Sequence, residues 1–123
     1  MVFYHTKNQK IMKRIEAVIP SNRLNLIVAA IEEMGVSGIT TIESKGRGKA
    51  TRPSLRSSRG TSTQIAEYNS LITIITIVED SRANQIVDAI LSVASTGSNG
   101  DGKIFISPVD EVIDIQTKKK DSV

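Results

Sequence analysis

With 123 residues and a hydrophobic fraction of 39%, the chain can build one domain core and is too short for two ordinary domains. It has no cysteine and no tryptophan, and aromatic residues make up 3%. Disulfides, thiolate metal sites and a cysteine nucleophile are therefore excluded, and the core must come from Ile, Val, Leu and Ala. The net charge of +3 is mild, but its distribution is uneven: Lys45, Arg47, Lys49, Arg52, Arg56 and Arg59 crowd one segment with no acidic residue before Glu67.

Residues 1–11 read as a polar tail or extension without an apolar run of signal-peptide length. No stretch approaches the roughly 18 apolar residues of a membrane span, so a cytoplasmic protein is expected. Residues 13–19 alternate and favour β structure, predicting a strand that Pro20 ends. Ser21 or Asn22 is a candidate cap for a helix over 22–34. There Leu24, Ile27, Val28 and Ile31 recur at helical spacing, and Gly35 is the stop. A second strand is predicted over 38–44. Residues 45–66 carry almost no apolar side chains and read as a long loop, which in a compact domain points to function or disorder. Residues 68–78 are the most apolar segment and predict a long central strand. Behind a turn and cap at 79–81, Ala83, Ile86, Val87, Ile90, Leu91 and Ala94 mark a second helix to about Ser95. Residues 104–106 predict a short strand, 109–115 a further short strand, and 118–123 a flexible tail. The order βαββαβ with a small extra C-terminal strand predicts an α+β, ferredoxin-like antiparallel sheet with both helices on one face. Residues 13–44 and 72–106 look like repeats of one pattern.

The most informative string is Thr96-Gly97-Ser98-Asn99-Gly100-Asp101-Gly102-Lys103. Its glycines free the backbone for positive φ, successive amides can converge on an anion, and Lys103 adds a mobile positive charge. Phosphate oxygens suit such a loop. A helix C-cap followed by a plain turn accounts for the same spacing. The string satisfies the first part of a P-loop pattern, but Ile104 stands where Ser or Thr would hold Mg²⁺, and the loop runs from helix to strand rather than from strand to helix.

This string, followed by Ile104-Phe105, resembles the B-loop and next strand of the PII signal-transduction family. Residues 12–20 are similar to that family's first strand, and 35–40 to its turn into the second. Lys45-Gly46-Arg47-Gly48-Lys49 resembles the base of its long T-loop. The resemblance covers about 12–117, with the T-loop at about 46–67 and the B-loop at 96–103. It implies a homotrimer that binds adenine nucleotides (ADP, ATP or AMP, with or without Mg²⁺) between subunits. It also implies that the T-loop signals to a target such as a membrane transporter or metabolic enzyme. By motif, Gly100, Asp101, Gly102 and Lys103 are expected around the phosphates, with Gly48 and Lys49 approaching from the T-loop base. Ile77 is expected near the nucleotide, and Thr40 of the neighbouring subunit at the adenine edge.

Departures from the family pattern shape the expected mechanism. Ala50 stands at the glutamine of the 2-oxoglutarate site, Lys49 at the arginine before it, and Leu71 at a lysine of the same site; no 2-oxoglutarate response is expected. Asp114 and Gln116 replace two C-terminal arginines that normally reach the phosphates, so triphosphate binding should weaken most, leaving Lys118 or a T-loop arginine to compensate. The T-loop lacks the tyrosine near its tip that some relatives have modified; Tyr68 lies at its far end. Arg52, Arg56, Arg59, Ser54, Ser57 and Ser58 dominate it instead, suiting either an acidic partner or a plain solvated loop. The sole histidine, His5, lies in the tail, and no Ser/His/Asp set can be assembled, so neither an enzyme nor a metal site is expected. Two alternatives remain: a sensor of another small anion such as bicarbonate, and a nucleic-acid binder. Phe105 alone is a poor base-stacking platform, and nucleic acid is not expected.

Overall fold

A computed structural model describes residues 10–48, 54–56, 63–65 and 68–120. The sequence-based expectations for His5, Lys49, Ala50, Arg52, Ser57, Ser58, Arg59 and residues 121–123 lie outside it. Among the described residues, six strands and two α-helices follow in the order β1 (Met12–Pro20), α1 (Leu24–Glu33), β2 (Thr40–Gly46), β3 (Ser54–Arg56), β4 (Thr63–Ile65), β5 (Asn69–Glu79), α2 (Asp80–Ala94) and β6 (Lys103–Val109). The main sheet is antiparallel with order β2-β5-β1-β6. This is the ferredoxin-like α+β arrangement expected from the pattern.

Alternation in the two central strands divides their side chains between two faces. Ile15, Ala17 and Ile19 of β1 and Ile72, Ile74 and Val78 of β5 form the core with Ile27 and Ile31 of α1 and Ala83, Ile86 and Ile90 of α2. Thr76 is the one polar member of this buried layer among the described residues, and its hydroxyl donates to the Gly38 carbonyl at 2.8 Å. The opposite face carries Val18, Leu71, Ile75 and Ile77, all half-buried, and Ile42 and Phe105, which are 50% and 52% exposed. No helix covers it.

Local differences from the sequence pattern have physical causes. Ser21 does not cap α1. Residues Ser21–Arg23 form a 3₁₀ turn, and the Ser21 hydroxyl shares a 2.7 Å hydrogen bond with Ser70 near the start of β5. Gly35 does stop α1, at φ +80°, and its N–H donates to Glu32 O at 2.9 Å. The helices close each other's ends: Arg23 donates to the Val93 carbonyl and Arg82 to the Met34 carbonyl. The segment expected as featureless loop contains an antiparallel ladder, Ser54↔Ile65 to Arg56↔Thr63. Its polar residues gave no apolar alternation by which to foresee strands. The further strand expected over 109–115 is reduced to one bridge, Ile113↔Lys120, around a turn. There the Asp114 carboxylate accepts the Thr117 N–H at 2.9 Å, and Lys118 takes φ 59°. Residues 118–120, expected in a flexible tail, thus belong to this turn.

Candidate functional site

The loop between α2 and β6 is built around one carboxylate. Asp101 Oδ2 accepts the N–H groups of Thr96 and Gly97 at 2.6 and 3.0 Å, and Oδ1 accepts the Thr96 hydroxyl. The Ser98 N–H turns to Thr96 Oγ1, the Gly100 N–H to Ser98 Oγ, and the Asp101 N–H to Ser98 O. The Thr96 hydroxyl foremost, aided by backbone amides, holds the Asp101 carboxyl below its ordinary value. Asp101 is therefore anionic at neutral pH and engaged inside its own loop.

Two glycines of this loop take positive φ for different reasons. Gly97, at +84°, lies in open space. Gly102, at +105°, lies so close to β1 that a Cβ would stand 2.1 Å from Val18 O. This close approach carries the chain from the loop into β6, where Lys103 pairs with Val18. Gly100, Gly102 and Lys103 thereby come to the rim of a cleft of about 570 Å³. Gly46, Arg47 and Gly48 close its other side, at the end of β2. Val18, Leu71 and Phe105 give it an apolar wall, and Asn69 and Asn99 add amides. Its charged lining residues are Arg47 and Lys103, both cationic. An enclosure of this size with a few convergent polar groups suits a small ligand with an anionic end.

The described residues that the sequence singles out for nucleotide binding fall into three sets. Gly48, Gly100, Gly102 and Lys103 meet in this cleft. Thr40 and Ile77 line a second one, of about 510 Å³, formed by the Gly35–Thr40 turn, β5, Arg82 and Val112. Asp101 lines neither and braces its loop. Lys49, Arg52 and Arg59 lie outside the described residues, and Arg56 is described only as part of β3. Arg47, Asn69, Asn99 and Phe105 were not foreseen as cleft residues. Arg47 had a signal, its place between two glycines; Asn69 had none. Among the described residues, no group of three or more His, Cys, Asp or Glu is placed to hold a metal ion, and no helix is long and apolar enough to cross a membrane.

Comparison with known proteins agrees with this architecture. A family model described as nitrogen regulatory protein P-II matches residues 12–119. The chain is similar to the nitrogen regulatory protein P-II of Azospirillum brasilense, 38% identical over 109 residues, which is 89% of this chain and 96% of that protein. Proteins of the same description from a Synechocystis species and from Porphyra purpurea are each 38% identical over 111 residues, covering 90% of this chain and 97% of theirs. With the family model spanning nearly the whole chain, this protein belongs to the nitrogen regulatory P-II family, whose members are signal-transducing regulators and not enzymes.

Proposed function

We propose that this P-II protein senses the adenylate pool, binding ADP or ATP in the cleft between the T-loop base and the B-loop and signalling the result to a target protein through the T-loop. The observation that carries the reading is the convergence of Gly48, Gly100, Gly102 and Lys103 on one cleft, though the T-loop base and the B-loop are far apart in sequence. Glycine backbone and an ammonium are what phosphate oxygens require. Asp101 serves the site indirectly by fixing the loop, since a carboxylate beside phosphates would repel them.

The second cleft supplies the other half. Thr40 and Ile77 line it, and in a homotrimer it would meet the phosphate cleft of a neighbouring subunit, bringing Thr40 to the adenine. The half-exposed Ile42 and Phe105 on the helix-free sheet face support association, because such a face gains from burial between copies. Leu71 lines the phosphate cleft as an apolar wall where a 2-oxoglutarate site would want a cation, which supports a sensor without 2-oxoglutarate synergy. A membrane transporter or a metabolic enzyme is the expected class of target, acting in the cytoplasm.

Calorimetric titration with ATP, ADP and AMP, each with and without Mg²⁺ and 2-oxoglutarate, tests this reading. The expected result is ADP binding comparable to or tighter than ATP, unaffected by 2-oxoglutarate. Strong 2-oxoglutarate synergy with Mg-ATP overturns the role given to Leu71. Silence with all three nucleotides overturns nucleotide sensing, and binding of bicarbonate in their place would support a small-anion sensor.

A further inference from the structure

The cleft holds a cation outside the glycine string, an arginine at the base of the T-loop. Arg47 lines the cleft opposite Lys103, and its guanidinium carbon lies over the Tyr68 ring, 5.7 Å from the centroid. That separation is within the range of cation–π attraction. Arg47 follows the last residue of β2, and Tyr68 precedes the first residue of β5. The contact therefore joins the two ends of the T-loop. A guanidinium has five N–H donors, so one drawn toward a ring still has donors to offer an anion.

We propose that Arg47 is, beside Lys103, a second cationic phosphate-binding residue of this cleft and that Tyr68 positions it. The proposal rests on reading the cleft as an adenine nucleotide site. It answers a deficit in the chain: Asp114 and Gln116 stand where the resemblance expects phosphate-contacting arginines, and the Asp114 carboxylate accepts the Thr117 N–H. Arg47 adds its charge to that of Lys103, so it matters most for the ligand with most phosphate charge.

The test is calorimetry of ATP, ADP and AMP with the full-length wild type and with Arg47→Ala, Arg47→Lys, Tyr68→Leu and Tyr68→Phe, with thermal melts recorded alongside. Arg47→Ala should weaken ATP and ADP roughly tenfold and AMP by less than about threefold, the loss expected of one charge-assisted contact. Arg47→Lys should recover part of the loss. Tyr68→Leu should follow Arg47→Ala in the same order of nucleotides at about half the logarithmic size, and Tyr68→Phe, which keeps the ring face, should bind as wild type. An equal loss for all three nucleotides, or unchanged ATP binding in Arg47→Ala, overturns the proposal while wild-type binding keeps the nucleotide reading. A Tyr68→Leu protein that binds as wild type overturns the positioning role. A wild type that binds no nucleotide overturns both.

Discussion

Residues 12–46 and 69–109 each run strand, helix, strand, and matched positions do matched work. Ile27 and Ile31 of α1 are buried against the sheet as Ile86 and Ile90 of α2 are. Arg23, just past β1, donates to a carbonyl near the end of α2, while Arg82, just past β5, donates to the carbonyl that follows α1. Each helix's negative end is thus met by a guanidinium of the other half. The halves part where the helix returns to the sheet. After α1 the chain turns on Gly35 and enters β2 at Thr40. After α2 it makes the Asp101-braced loop and delivers Lys103 to the cleft. The difference shows where a repeated unit can diverge: at a connection, which can change without disturbing the packing beneath it.

Four experiments would break or sharpen that comparison. The largest effect belongs to the shared core. Ile31→Ala and Ile90→Ala, at positions 0% and 1% exposed, should each lose about 3–4 kcal/mol in urea unfolding; a loss confined to one half would deny a common core. Gly102→Ala should cost about 2–4 kcal/mol, because both its φ and the Val18 carbonyl oppose a Cβ. Gly35→Ala and Gly97→Ala, with positive φ but no close backbone neighbour, should lose only about 1–2 kcal/mol. Equal losses at 97 and 102 would erase the distinction between a glycine required by its turn and one required by contact. Arg23→Ala and Arg82→Ala should each cost about 1 kcal/mol, and a double mutant that departs from their sum would show that the reciprocal caps are coupled.

The smallest effect is acid-dependent and should appear in one connection only. The Thr96 hydroxyl chiefly, with the Thr96, Gly97 and Ser98 amides, holds the Asp101 carboxyl below its ordinary value of 3.8. A folded-state value below the unfolded one means the bracing is complete above 3.8 and is lost as pH falls through the lower folded-state value. Hydrogen-exchange protection of the Gly97 amide should fall in that acid window, and Asp101→Asn should lower it at neutral pH. The Gly35 amide, bonded to a backbone carbonyl, should not respond to either. Matching pH profiles at the two amides would remove Asp101 from the account.

Much of this was legible in the residues. Alternation in β1 and β5 and helical spacing in α1 and α2 mark buried stripes that burial itself rewards. The glycines of the B-loop announced unusual backbone, which Gly97 and Gly102 adopt. Other features were not legible because a side chain had a choice of partners. Ser21 was a reasonable cap until Ser70 offered its hydroxyl across the sheet. That the Asp101 carboxylate braces its own loop could not be read from the spacing, because the amides it accepts depend on how that loop folds. The β3–β4 ladder joins polar segments with no alternation to read.

The sequence by itself therefore determined the main-sheet strands, the two helices, the helix stop at Gly35 and the family, since periodicity, glycine placement and motif spacing are local properties of the chain. Which residues share a cleft was decided only in three dimensions. Gly46, Arg47 and Gly48 lie far along the chain from Asn99, Gly100, Gly102 and Lys103. They face each other because the antiparallel order β2-β5-β1-β6 brings the end of β2 and the start of β6 to the same end of one sheet. The same order turns Thr40 and Ile77 toward a different cleft, and long-range strand register of this kind leaves no mark on any local stretch of sequence.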